Sequence, residues 1–371
     1  MKILFIDTYY PGFLKNFRKK TKNFSKYSYR EYKNALFQTC FGTSDFYSYN
    51  LYKLGIDAED IIANDEILQK KWADENGVSV NENKFIAKLK SLPFAYKIFG
   101  QPKWIQQITL EQIKEYKPDV VYCQNLSILN PNTLVNIKKY CKLLVGQIAC
   151  PKPPREYYEK YDLIITSFPH YVKDFRSMGI DSEYQKLAFD PRILKKIGKC
   201  KRVFDVTFIG SFTPYHFKGT KILERVAERI PLNVWGQGLR YLSLFSPLRK
   251  NFHGEAWGLD MYKIFAQSKI VINRHIGVAE NYANNMRLYE ATGMGAMLIT
   301  DHKKNLNDLF SVNKEVVEYK NTDDLTNKIK YYLRHDRERE NIAYAGQQKT
   351  LKYHNYKVRM KELIKIINKY L

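Results

Sequence analysis

The densest group of chemistry-bearing residues runs from Glu280 to Gly295, where Asn284, Asn285, Arg287, Glu290 and Thr292 precede a strand-like Ala296–Thr300 and Asp301. Asn284 or Asn285 suits a helix N-cap, and the turn that follows would turn free N–H groups and a positive dipole end toward an anion such as a diphosphate. Arg287 and Glu290 stand three apart, hence on one helix face. They offer a cation for phosphate and a carboxylate for sugar hydroxyls, or else an ordinary intrahelical ion pair. Asn273 and His275 close an earlier strand-like run, where His275 is either a ligand contact or a satisfied structural histidine. Gly210 and Ser211 follow Val206–Ile209, and His253 and Gly254 lie in a later loop.

Two acids in the first half could act as a general base toward a hydroxyl. Asp45 follows Ser44, a good N-cap for a helix over Asp45–Leu54 that would bury Phe46, Tyr49, Leu51, Tyr52 and Leu54; Asp7 ends the first strand. Each also has a structural reading, as a helix-start acid favoured by the dipole or as a strand-end hydrogen-bond acceptor. Other chemistries are missing their signatures. Gly236-x-Gly238 and Gly293-x-Gly295 lack the third glycine of a dinucleotide fingerprint, and there is no P-loop. No Asp-x-Asp pair is available to hold a divalent ion on a diphosphate, and the seven histidines and five cysteines show no metal spacing. No metal or redox cofactor is expected.

The elements that position these residues alternate. Ile3–Asp7, Asp60–Ala63, Val120–Cys123, Leu143–Ile148 and Leu163–Thr166 are short apolar runs separated by amphipathic segments. A second series comprises Val206–Gly210, Leu232–Gly236, Ile270–Asn273 and Ala296–Thr300. Such alternation means α/β with parallel sheets covered on both faces, and 371 residues suffice for two such domains. We expect an N-terminal domain over residues 1–191 and a C-terminal domain over 192–355, with a helix over 356–371 that packs its apolar stripe (Val358, Met360, Leu363, Ile364, Ile366, Ile367) across the junction. Ligands of such sheets sit beyond the carboxyl ends of the strands, where the candidates above cluster.

The run Phe252–Tyr262, Ser268–His275 and Asn285–Gly293 resembles the C-terminal domain of the CgeB-like glycosyltransferases, of the glycosyltransferase group 1 clan with the GT-B fold. Cys40–Ser48 and Gly146–Ala149 carry a weaker likeness in the first half. The resemblance implies two Rossmann-like doubly wound parallel-sheet domains facing a cleft and a metal-independent, hexosyltransferase-type activity with a nucleoside diphosphate sugar such as a UDP-sugar as donor substrate. It makes Glu290 the donor-ribose carboxylate and Arg287 a diphosphate contact, with Gly210 and Ser211 in the loop after the first donor-domain strand and His253 and Gly254 beside the base. Asn273, His275, Asn285 and Thr292 complete the expected donor set. Clan members that retain configuration often carry a second glutamate eight positions before Glu290, where this chain has Tyr282. A nucleotide-sugar epimerase on the same fold and a non-catalytic basic binding protein are the alternatives.

Lys plus Arg number 61 against 38 Asp plus Glu, a formal charge of +23 that points to anionic partners. Residues 13–33 hold eight basic residues and one acidic one, interleaved with Phe17, Phe24, Tyr27, Tyr29 and Tyr32, a pattern suited to peripheral contact with an anionic membrane or a lipid-linked acceptor, or to a solvated helix face. It carries no nucleic-acid motif, so nucleic acid is not the expected partner. The start of the chain has no signal-peptide pattern and the cysteines are odd in number, so the expected location is the cytoplasm, with cell-surface polysaccharide or glycoconjugate synthesis at the inner membrane face as the expected context.

Overall fold

A computed structural model describes residues 1–80 and 101–371. They divide into two units, Met1–Gln185 together with Met360–Leu371, and Lys186–Arg359. The first unit contains β1 (Lys2–Asp7), α1 (Pro11–Lys20), α2 (Tyr29–Gln38), α3 (Phe46–Tyr52), β2 (Asp57–Ile62), α4 (Glu66–Glu75), α5 (Lys103–Tyr116), β3 (Val120–Cys123), α6 (Pro131–Ile137), β4 (Leu143–Ile148), β5 (Leu163–Thr166), α7 (Pro169–Ser177) and β6 (Ser182–Tyr184). All neighbouring strands are parallel, in the order β2-β1-β3-β4-β5-β6. The apolar runs predicted as strands are buried on both faces, Val120–Cys123 and Leu163–Thr166 completely, as a sheet covered by helices requires.

The second unit contains α8 (Arg192–Ile197), β7 (Phe204–Ile209), α9 (Phe217–Ala227), β8 (Asn233–Trp235), α10 (Leu259–Ala266), β9 (Ser268–Ile272), α11 (Met286–Gly293), β10 (Met297–Asp301), β11 (Val317–Tyr319), α12 (Thr322–Arg334) and α13 (Asp336–Tyr353). Its sheet is also parallel, in the order β11-β10-β9-β7-β8. Val206, Phe208, Val234, Ile270, Ile272, Met297 and Ile299 pack with Leu223, Val226, Leu325 and Ile329 in its core. The Phe189 amide donates to the His354 carbonyl, which ties the segment before Arg192 into this unit. A last helix, α14 (Tyr356–Ile367), starts among the residues of the second unit and ends among those of the first, with Met360, Leu363 and Ile367 buried.

Both units are doubly wound, as the alternation of runs implied. Chain order reverses at β1/β3 in the first sheet and at β7/β9 in the second, which opens a crevice at the carboxyl ends of those strands. The three-residue strands β6 and β11 were not foreseen, because such short segments carry too little periodicity. The α3 expectation needs correcting. Ser44 is not the N-cap: it adopts a left-handed φ of 48° and its hydroxyl donates to the Phe37 carbonyl at 2.8 Å. Asp45 takes the cap position without a side-chain capping bond, and Tyr49 and Tyr52 are exposed, because a seven-residue helix buries only the face of Phe46, Tyr47 and Leu51.

The ends of the neighbouring strands β7 and β8 lie very close together. A Cβ on Gly236, whose φ is +156°, would stand 1.7 Å from the Gly210 carbonyl oxygen. Gly236→Ala is therefore expected to destabilise the protein by about 3 kcal/mol, read as a lowered urea midpoint with an unchanged slope.

Candidate functional site

At the carboxyl edge of the second sheet, the loops after β7, β8 and β9 are bonded to one another. The Phe212 amide donates to the Gln237 carbonyl at 2.9 Å, and the Gln237 side-chain amide reaches the Ser211 hydroxyl at 3.0 Å. Arg274, the second residue beyond β9, donates to the Ser211 carbonyl at 2.8 Å, to the His216 carbonyl at 3.2 Å and to the Thr220 hydroxyl at 3.4 Å. Its guanidinium lies 5.2 Å from the centre of the Phe208 ring. Gly219, in the first turn of α9, leaves the space it occupies, since a Cβ there would sit 2.4 Å from Arg274 Cδ.

This cation is 9% exposed, and among the described residues its Nε has no hydrogen-bond partner and no carboxylate lies within ion-pair distance. Burial lowers its pKa to about 10, against the field of Tyr319 and Asp301, so it stays charged at neutral pH. A desolvated guanidinium held by neutral carbonyls at the start of a helix puts two positive poles together, an arrangement that an anion would relieve. Arg274 was not among the residues singled out from the sequence, although Asn273 and His275 on either side of it were. The available signal was an arginine immediately after a strand at the point of chain reversal.

The flanking candidates build this edge. Asn273 and Asn285 exchange side-chain amide bonds of 3.2 and 2.9 Å, and the Asn285 side chain also reaches the Arg274 carbonyl at 3.3 Å. Asn285 caps α11 by accepting from the Leu288 amide, so the start of α11 is fastened to the end of β9. His275 lies 2.7 Å from Asp301 through Nδ1 and 3.4 Å from the Asn284 amide through Nε2, which commits both ring nitrogens. Burial works against ionisation of Asp301, but His275 and Lys303 together hold its carboxyl below the usual range.

Arg287 and Glu290 form an ion pair of 2.5 Å that looks toward α10. There Arg287 also meets Met261 Sδ at 3.0 Å and the Phe265 ring at 4.9 Å, and Tyr262 donates to Glu290 at 3.4 Å. Burial raises the Glu290 pKa, while Arg287 and Tyr262 pull it back. Thr292 donates to the Leu288 carbonyl at 2.6 Å and lies 2.7 Å from the Thr350 hydroxyl, which joins α11 to α13. The His253 ring stacks on Trp235 at 4.4 Å and bonds Asn233 at the start of β8, while the Gly254 carbonyl accepts from the Gly236 amide.

In the first unit, Asp7 ends β1 at the other switch point. Its carboxylate accepts from the Thr8 amide at 2.7 Å and the Thr43 hydroxyl at 2.8 Å, and burial outweighs both bonds to push its pKa up to about 6. Thr43 is presented by a tightly wound turn in which Cys40, Gly42 and Ser44 all have positive φ. Asp60 lies 2% exposed in β2, where burial pushes its carboxyl up to about 8 against the Ser48 hydroxyl and Lys33. Of the basic strip, Phe13, Phe17 and Tyr32 are buried, Arg18 pairs with Asp65 and Lys33 with Glu59, whereas Lys15, Lys19, Lys20, Lys22, Lys26 and Arg30 are exposed.

Unfolded, the Asp60 carboxyl returns to its ordinary 3.8. Between about pH 4 and 8 the unfolded chain therefore binds fewer protons, and stability falls as pH rises, by at most about 1.4 kcal/mol per unit. Asp60→Asn is expected to flatten this fall, which urea titrations at pH 5 and pH 8 would measure.

Residues 219–365 match the family described as glycosyl transferase-like. Among solved structures, Anabaena HepE in complex with UDP-glucose matches with a TM-score of 0.60 at 13% identity, with 100% of both chains covered. A sucrose-phosphate synthase from Thermosynechococcus elongatus matches with a TM-score of 0.61 at 10% identity, over 100% of this chain and 98% of that one. A glycosyltransferase from Rickettsia africae matches with a TM-score of 0.58 at 13% identity, over 100% and 98%. No curated protein matches the sequence significantly.

Proposed function

We propose that this glycosyltransferase of the GT-B fold holds the diphosphate of a UDP-sugar with Arg274 and transfers the sugar to an acceptor hydroxyl. The observation that carries the donor assignment is the buried, carboxylate-free guanidinium at the β7/β9 switch point, with the Gly210–Ser211 loop and the first turn of α9 beside it. As the bond from the sugar to the diphosphate breaks, negative charge accumulates on the departing oxygens. A preorganised cation in a dry site stabilises that charge without solvent rearrangement, so this chemistry needs no metal. UDP is favoured among nucleotides because the HepE structure is a complex with UDP-glucose.

Glu290 is assigned to the ribose hydroxyls, with Arg287 as the counter-ion that keeps this buried carboxylate charged. On the acceptor side, Asp7 is the better placed base of the two expected: its raised pKa of about 6 suits proton uptake near neutrality, and Asp45 remains the alternative. A CgeB-like subtype and a lipid-linked acceptor at a cytoplasmic membrane face extend this reading, with the six exposed basic residues between Lys15 and Arg30 as its electrostatic support. The aromatic residues of that strip support it less, because Phe13, Phe17 and Tyr32 face inward.

The test is calorimetric titration of UDP and UDP-glucose into wild type, Arg274→Ala and Glu290→Gln. Losing charge-assisted bonds worth about 1.5–3 kcal/mol should weaken UDP roughly 10- to 100-fold in Arg274→Ala, with partial recovery in Arg274→Lys. Unchanged affinity in a folded Arg274→Ala variant would end the assignment, and an epimerised sugar nucleotide formed without acceptor would move the reading to epimerase. In a transfer assay, kcat/KM is expected to rise with pH through about 6 in wild type. Asp7→Asn should lose transfer and keep UDP affinity.

A further inference from the structure

The segment after β8 is built to hold two large apolar side chains out in solvent. Leu242 and Leu248 are buried in the core of the second unit, while Leu244 and Phe245 between them are 81% and 95% exposed. This tip is not a slack loop. Arg249 gathers three of its carbonyls, donating to Leu239 at 3.0 Å, Leu242 at 2.8 Å and Ser243 at 2.8 Å, and the Ser246 amide closes a turn onto the Ser243 carbonyl at 3.0 Å. A braced turn of this kind incurs little ordering cost when it inserts.

Its own segment is cationic and amphipathic. From Arg229 to Gly254 there is no acidic residue, while Arg240 and Lys250 flank the tip and are exposed. The half-exposed Tyr241 carries Arg240 against its ring at 4.9 Å. Apolar side chains at a tip, a tyrosine behind them and cations around them match the layers of a phospholipid surface: acyl boundary, interface and anionic head groups. A protein partner would have to supply an acidic rim around an apolar pocket, and the bilayer presents both without further design.

We propose that Leu244 and Phe245 insert into the anionic surface of a phospholipid bilayer, with Arg240 and Lys250 on the head groups. The segment leaves β8 through Gln237, which is bonded to Ser211 in the Arg274 cradle, so insertion would hold the donor edge of this unit at the bilayer. That consequence rests on the donor reading above; the contact itself does not. No described helix is long and apolar enough to cross a membrane, so attachment through this tip would be peripheral.

Cosedimentation with phosphatidylcholine vesicles, with and without phosphatidylglycerol, tests it on the full chain. Wild type is expected to sediment with the phosphatidylglycerol vesicles and only weakly with phosphatidylcholine alone. Replacing both apolar residues (Leu244→Ser with Phe245→Ser) should weaken binding at least about tenfold. Arg240→Ser with Lys250→Ser should remove the preference for anionic lipid. Both variants should still bind UDP like wild type, which separates this contact from the donor site. Wild type that stays in the supernatant, or an apolar-pair variant that binds undiminished, would overturn the proposal, and the second outcome would transfer the contact to the strip between Lys15 and Arg30.

Discussion

A guanidinium held by carbonyls rather than by a carboxylate is the constraint on which the second unit depends. Arg274 is anchored to the loop after β7 and to the turns that begin α9, and it lies on the first residues beyond β9. It therefore joins the two strands on either side of the chain reversal. A carboxylate partner would have neutralised the charge and closed the site. Neutral acceptors fix the side chain in place and leave its charge uncompensated, so the fold retains a standing electrostatic demand for an anion.

The neighbouring residues keep that demand in register. Asn273 and Asn285 lock the start of α11 to the end of β9, and His275 braces the same corner through Asp301. The pair Arg287–Glu290 belongs to a different face of α11, against α10, where burial makes each charge dependent on the other. Two ideas that the sequence places on one short helix thus separate in space: anion attraction at the strand edge and a buried carboxylate along the helix.

The architecture was legible because parallel strands buried on both faces are written as continuous apolar runs. Val120–Cys123, Leu143–Ile148 and Leu163–Thr166 begin and end where those runs do. The site was legible in outline, through the cap at Asn285 and the strand-end position of Asn273 and His275. Arg274 was missed because nothing local distinguishes a solvated arginine from a buried one; its burial arises from Gly219 and Ser211, more than fifty positions earlier in the chain. Ser44 misled for a related reason: a serine before an acid and an aromatic run is the pattern of a cap, yet its hydroxyl answers the carbonyl of Phe37 in the preceding helix. Aromatic and basic interleaving over residues 13–33 likewise cannot tell from composition which aromatic residues turn inward.

The close contact of Gly236 with the Gly210 carbonyl divides the connection after β8 into two regimes of evolutionary freedom. Up to Gly238, the backbone is wedged between the loop after β7 and the strand end, and insertion or enlargement there would push apart the walls of the cradle. From Leu239 onward the chain is held by Arg249 and by two buried leucines, with open solvent between them. The outer segment can thus be lengthened, shortened or recomposed while the inner three residues stay put. The exposed tip can then change in length and character without disturbing the Arg274 cradle behind it.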